Sequence, residues 1–171
     1  MVGYVYGMVV NVLTRAVVLF LLFVLLIPAP ARMAMAEGGL ARFEQDRLAI
    51  ETAKGGRHDF SVELAITPQQ QQQGLMFRRD MAPDASMLFV YRPERVVSMW
   101  MRNTLIPLDM LFIADDGRVV KIVERTVPLS LKTISSDRPV RAVLEVNGGT
   151  VARLGIMPGD RVLHDTFDAK P

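Results

Sequence analysis

The sequence predicts an α+β domain dominated by β structure, an antiparallel rolled sheet or small barrel of roughly seven or eight strands with two short helices. Three observations predict it. The chain has 171 residues, 50% of them hydrophobic and 22% charged, which fits one core of ordinary size and excludes a large multidomain enzyme, a disordered chain and a fibrous one. Beyond its first third, the chain is a succession of short runs rich in Val, Ile, Leu, Met and Phe, separated by Pro, Gly and Asp. The connections between those runs read as short, which favours antiparallel neighbours over parallel crossovers of about a dozen residues or more.

The elements follow in order. Residues 16–27 (AVVLFLLFVLLI) are uninterruptedly apolar, preceded by Arg15 and followed by PAPARMAMA. Ala34, Met35 and Ala36 offer a small-x-small cleavage site, so residues 1–36 read as a signal peptide. The alternative is an uncleaved membrane anchor, but a spanning helix wants about 20 apolar residues and Arg15 breaks the run. Either way the expected location is periplasmic or otherwise exported, with a membrane contact only through an uncleaved signal segment. Residues 37–47 lack apolar periodicity and read as a flexible tether, followed by one β-rich domain at 48–168 and a tail at 169–171. LAIET and FSVELAI suggest two strands around a turn at Gly55 and Gly56, with Phe60, Val62, Leu64 and Ile66 on one face. In TPQQQQQG, Thr67 caps, Pro68 suits the first helical position, Gln70 completes a capping box and Gly74 stops a short helix. The five glutamines are too few for a low-complexity tract and suit a solvated helix.

Strands are expected at 86–91, 96–103, 108–114, 119–127 and 140–146. Pro93, Pro107 and the turn at Asp115, Asp116 and Gly117 separate them. Gly148 and Gly149 lead to Thr150 as the expected cap of a second short helix through Leu154, which Gly155 ends. Pro158 and Gly159 then turn the chain into a last strand at 161–164.

Charge and composition narrow the function classes. The formal charge of +2 comes from Arg15 and Arg32; from Glu37 onward 18 Lys and Arg balance 18 Asp and Glu, so no nucleic-acid partner is expected. Without cysteine there is no disulfide, thiolate nucleophile or cysteine metal site. No serine stands in a nucleophile elbow. His58 and His164 are each followed by an aspartate, but they are far apart and lack ligand spacing, so neither a metal nor another cofactor is expected. Six methionines crowd residues 76–110; adaptable core packing is their usual meaning, although methionine thioethers also suit copper(I).

The densest polar group lies in SMWMRNTLIPLDM, residues 98–110. If this stretch is extended, Trp100 and Arg102 share one face, and Asp109 lies on the apolar face of Leu111 and Ile113, a buried carboxylate in need of a partner. Asn103, Thr104 or Arg102 could supply it across a tight hairpin. Trp100, Arg102, Asn103, Thr104 and Asp109 are therefore the candidate ligand-binding residues, with a hairpin lock as the alternative meaning of the cluster. Arg78, Arg79, Arg92, Arg95 and Arg102 fall in a stretch with few acids, a local excess of positive charge suited to an oxyanion.

GLMFR (74–78), MWMRNTLIPLDMLFI (99–113), AVLEVNGG (142–149) and LGIMPGDRV (154–162), in this order, make the chain resemble the bacterial and archaeal "domain of unknown function 192" family over residues 60–164. The resemblance implies a compact β-rich domain, often exported, and brings no catalytic residues.

Three functions remain open at this stage. The leading one is an exported accessory or ligand-binding module with a polar cleft around residues 102–109, its partner a small anionic or polar ligand. The others are a hydrolase-like enzyme using Asp109 with Arg102 and a module that docks an envelope protein. A lone carboxylate without a second acid, metal set or nucleophile favours binding over catalysis. The signal segment gives the first testable expectation: exported material begins at Glu37 on N-terminal sequencing, and a start at Met1 in the membrane fraction would favour the anchor.

Overall fold

A computed structural model describes residues 40–168; the expected signal peptide at 1–36 and tail at 169–171 lie outside the described residues. The elements in chain order are β1 (Glu44–Glu51), β2 (Arg57–Ala65), α1 (Pro68–Gln73), β3 (Ala85–Arg95), β4 (Ser98–Met99), β5 (Leu108–Ile113), β6 (Val119–Val123), β7 (Ile134–Ser135), β8 (Val140–Asn147), α2 (Thr150–Leu154), β9 (Arg161–Leu163) and α3 (Asp165–Asp168). Seven strands form one sheet in the order β6-β5-β8-β3-β2-β1-β9, while β4 and β7 make a separate two-stranded ribbon. An antiparallel bridge between Arg118 and Arg161 and the bond from Val119 N–H to the Asp160 carbonyl (2.9 Å) bring the two ends of the sheet together. The result is the β-dominated, nearly closed barrel-like roll expected, with short helices at its margins.

Period-two side-chain alternation divides the core. Every strand of the main sheet contributes to an inner cluster that includes Ile50, Val62, Leu88, Leu111, Val119, Leu144 and Val162. The opposite faces of β3, β5 and β8 supply a second cluster, with Met87, Phe89, Tyr91, Leu108, Met110, Phe112 and Val143 packed against Leu75, Val97, Met99 and Met101. This outer layer explains why SMLFVY and LDMLFI are almost continuously apolar: both faces of these strands are buried.

The sheet is mixed rather than purely antiparallel, because β2 and β3 pair in parallel from Ser61 with Ala85 to Ala65 with Phe89. The connection at 66–84 is long enough for a crossover, and α1 sits within it. Its capping box forms as expected, with Gln70 N–H donating to the Thr67 hydroxyl and the Gln70 side chain accepting from the Thr67 N–H.

Other boundaries shift for local reasons. Strand β1 starts at Glu44, inside the span read as tether, since exposed residues 44–47 still complete the ladder with Ser61–Leu64 of β2. β3 continues past Pro93 to Arg95 with a register irregularity after Val90. The expected strand at 96–103 is extended, with Val97, Met99 and Met101 buried between exposed Ser98, Trp100 and Arg102. Only Ser98 and Met99 find a strand partner, because Met101 N–H bonds the loop carbonyl of Ser130 and the chain turns at Asn103 in a left-handed conformation. β6 ends at Val123 rather than 127, followed by Arg125, also left-handed.

The cap of α2 is Gly149, not Thr150, and it makes no side-chain cap bond of its own. Asp109 fills that role from β5. Its Oδ1 accepts from Arg125 N–H (2.8 Å) and Gly149 N–H (3.0 Å), and its Oδ2 from Gly149 N–H (2.9 Å) and Val151 N–H (2.9 Å). Asp109 is therefore buried and bonded as expected, but by backbone donors. Asp109→Ala should destabilise the domain by about 3 kcal/mol, since it strands three N–H groups in the interior. Asp109→Asn should lose a similar amount, because an amide offers one acceptor oxygen to donors that approach both. Denaturant titration checks both values.

Candidate functional site

A cleft of about 560 Å³ opens on the outer face of the sheet, between α1 with the turn after it, β3, and the segment 95–104. Leu75, Phe89, Val97 and Met99 line it with apolar surface, and all four are buried. Arg95, Trp100 and Arg102 are exposed and form its mouth. The walls are built by close packing: a Cβ on Gly74 would lie 2.9 Å from the Phe89 ring, and Gly74 has φ of +47°. Only glycine lets the chain turn there against the sheet.

The structure separates the five residues singled out from the sequence. Trp100, Arg102 and Thr104 line the cleft; Asn103 and Asp109 do not. The Arg102 guanidinium lies 5.7 Å from the Trp100 ring centroid, stacked in the manner of a cation on a π face. Thr104 is buried and its hydroxyl meets the Arg102 carbonyl at 3.4 Å. Asn103 accepts the Phe77 N–H on its carbonyl (2.8 Å) and directs its amide toward the Met76 sulfur, so it joins the two rims of the cleft without facing it. Asp109 belongs to the inward-facing side of β5, both oxygens occupied by Arg125, Gly149 and Val151. The hydrolase reading that paired Asp109 with Arg102 has no geometry, and neither Asn103, Thr104 nor Arg102 bonds Asp109.

Glu145 of β8 is the residue that sequence reasoning missed. It lines the cleft while only 4% exposed. In register it stands between Met87 of β3 and Met110 of β5, both fully buried. Among the described residues its carboxyl has neither a hydrogen-bond partner nor an ion-pair partner, and no fully enclosed side-chain oxygen lacks a partner. The carboxyl therefore faces the cleft. Burial in this apolar setting pushes its pKa up to about 8, because desolvation penalises the charged form. A lone acid within the apolar run AVLEV was the available signal. Above it, Tyr91 directs its hydroxyl to the Met99 sulfur (3.4 Å), and Arg95 lies 5.0 Å from the Tyr91 ring centroid. Burial first, then the neighbouring Glu145, raises the Tyr91 phenol above its ordinary range.

Among the described residues no three His, Asp or Glu converge to hold an ion. His164 accepts the Thr166 N–H on Nδ1 and faces Asp46 through Nε2 (3.2 Å), far in role from the turn-flanking His58. No described helix is long and apolar enough to cross a membrane. An exposed apolar stretch, Val127, Leu129 and Leu131, lies beside the mouth, held there by Leu129 N–H on the Thr104 carbonyl.

A family model described as an uncharacterized ACR matches residues 49–164. No curated protein matches the chain. Among solved structures, the chain is similar to a Sinorhizobium meliloti 1021 protein provisionally described as a transcription regulator, at 52% identity and a TM-score of 0.73, covering 75% of this chain and 99% of that one. It is also similar to a protein of unknown function from Novosphingobium aromaticivorans DSM 12444, at 39% identity and a TM-score of 0.68, covering 72% of this chain and 94% of that one.

The buried acid has a measurable signature. In the unfolded chain a glutamate ionises near its ordinary value of 4.5, whereas in the folded chain it holds its proton to about 8. The folded state then binds more protons than the unfolded one across that window, so the Glu145 contribution is fully present below 4.5 and is lost as pH rises through 8. Glu145→Gln should flatten this loss, and its stability advantage over the parent should grow from pH 4.5 to 8 by on the order of a few kcal/mol. Urea midpoints across that range give the comparison.

Proposed function

This chain belongs to the DUF192 family, and from the cleft that its fold builds we propose that it is an exported module binding a small organic anion. The observation that carries the reading is the pair of guanidiniums at the mouth. Like several other arginines, Arg95 and Arg102 make no ion pair among the described residues, but these two line the cleft and lie over the Tyr91 and Trp100 rings. The one acid in the cleft, Glu145, is kept protonated near neutral pH by burial. The cleft thus presents uncompensated positive charge beside a lining that mixes the apolar Leu75, Phe89, Val97 and Met99 with uncharged polar groups, the chemistry of a site for a small carboxylate or similar oxyanion. Its volume, about 560 Å³, suits a small molecule. A single carboxyl without a paired base supports binding rather than turnover.

Export is supported by the apolar run at 16–27 and the Ala34–Met35–Ala36 site. Nucleic acid is a poor fit to the balance of 18 bases and 18 acids from Glu37 onward, and the provisional description of the Sinorhizobium relative does not enter the proposal. A second reading, docking of an envelope protein, is favoured by the exposed Val127, Leu129 and Leu131 beside the mouth.

Trp100 is the only tryptophan of the chain and stands at the mouth, so its emission reports occupancy. Heptanoate should shift it saturably while heptylamine does not. The double variant Arg95→Gln, Arg102→Gln should weaken heptanoate at least tenfold without lowering the melting temperature appreciably. No response to heptanoate, or equal affinity in the variant, would remove this reading and leave the docking surface as the better one.

A further inference from the structure

We infer that the cleft selects an organic anion carrying a second, uncharged hydrogen-bond acceptor, such as a carbonyl oxygen, which takes the Glu145 hydroxyl hydrogen in a hydrogen bond while the anionic end lies between Arg95 and Arg102. This deepens the reading of the cleft given above and rests on it. Three buried carboxyl groups stand in the described chain. Asp109 accepts backbone N–H bonds on both oxygens, and Asp160 does the same from Ala53 (2.9 Å) and Met157 (2.7 Å). Glu145 alone has no partner among the described residues, although it is 4% exposed and lines the cleft. A ligand that covers this carboxyl without offering it a partner would leave a buried polar group unsatisfied, which is costly, so a ligand that supplies the partner binds tighter than one that does not.

The form of that partner follows from what surrounds it. Arg95 and Arg102 lie at the mouth and make no ion pair with Glu145; Phe89, Val97 and Met99 give the same cleft apolar surface. A ligand that uses both polar regions therefore has a charged end, a short apolar middle and a polar tip. Glu145 faces Met87 on β3 and Met110 on β5; the titratable and charged groups near it are Tyr91 and Arg95 of β3 and Arg102, with only glutamines from α1. No cation among the described residues stabilises its ionised form, and burial favours the protonated acid. A protonated carboxyl donates one hydrogen bond, and its complement is an acceptor. An ammonium tip would need the ionised acid and would have to pass two guanidiniums.

The experiment uses the full chain, with Trp100 emission as readout. Titrations with 5-oxohexanoate, 6-oxoheptanoate and 7-oxooctanoate are compared with the plain acids of equal length, and the length series allows for the depth of the cleft. At pH 6.5 the best oxo acid should bind at least tenfold tighter than its plain counterpart. That gain should vanish in Glu145→Leu and persist in Glu145→Gln, whose amide still donates. Above about pH 8 the oxo-acid affinity should fall by up to roughly tenfold per pH unit in the parent and stay flat in Glu145→Gln. The Tyr91 phenol, raised by burial, keeps its proton across that range.

Equal binding of oxo and plain acids, or an unchanged gain in Glu145→Leu, would overturn the inference while leaving the anion cleft intact. Tightest binding of 6-aminohexanoate, with affinity rising with pH, would overturn it in favour of a cationic tip. Silence of Trp100 toward every acid would overturn the cleft reading and this inference together.

Discussion

The Asp109 carboxylate ties β5 to the irregular backbone that follows its two ladder partners, after β6 on one side and β8 on the other, and the cleft depends on it. From β5 it holds Arg125 just after β6, and Gly149 and Val151 at the entry to α2. Arg125 is fixed in a left-handed conformation next to Thr126, whose hydroxyl is shared between Leu108 and the Met101 sulfur. The following loop then bonds Thr104 through Leu129 and Met101 through Ser130. That segment carries Trp100 and Arg102 to the mouth. A single buried acid thus anchors a rim that it never touches, because charge-assisted bonds to N–H groups are strong enough to hold irregular backbone in place.

Backbone strain gathers where the rims meet. Phe77 and Asn103 both have positive φ, a conformation uncommon for residues with a side chain, and the Phe77 N–H bonds the Asn103 carbonyl. Left-handed residues of this kind persist only where the surroundings overdetermine them. Here the surroundings are Met76 against Asn103, Leu75 in the outer core cluster and the Thr104–Leu129 bond. The two rims are thereby held in one arrangement, which lowers the ordering cost of any molecule placed between them.

Much of this was legible in the sequence and some was not, for definite reasons. Burial of Asp109 could be read because Leu111 and Ile113 share its face, but its partners could not, since backbone N–H groups at 125, 149 and 151 have no signature in residue type. The alternation in 96–103 correctly separated buried Val97, Met99 and Met101 from exposed Trp100 and Arg102; it could not show that only Ser98 and Met99 would find a strand to pair with. The parallel β2–β3 pair was hidden because a helix of six residues in the 66–84 connection carries no signal that the chain crosses back to run alongside β2. Glu145 was hidden by its own strand: a run such as AVLEV reads as core, and one polar letter in it looks like a position turned to solvent. Only the outer layer, assembled from segments distant in sequence, turns that face into a buried one.

The two classes of buried acid show how the fold distinguishes structural from available polar groups. Asp109 and Asp160 sit where chain turns leave several N–H groups without helical or sheet partners, so their short side chains are saturated locally. Glu145 sits in the middle of a regular ladder, where the neighbouring backbone is already committed to β3 or β5 and its register partner on each side is a methionine. Regular pairing therefore denies this acid the donors that irregular backbone gives the aspartates. Its longer side chain can reach the cleft, and the arginines that could have neutralised it are stacked on Tyr91 and Trp100 instead. Stacking keeps each guanidinium ordered at the mouth while leaving its N–H edge free for an oxyanion. The cleft is thus divided between a cationic entrance and an uncharged donor within, a separation that follows from ladder geometry and ring stacking and sets what the site can hold.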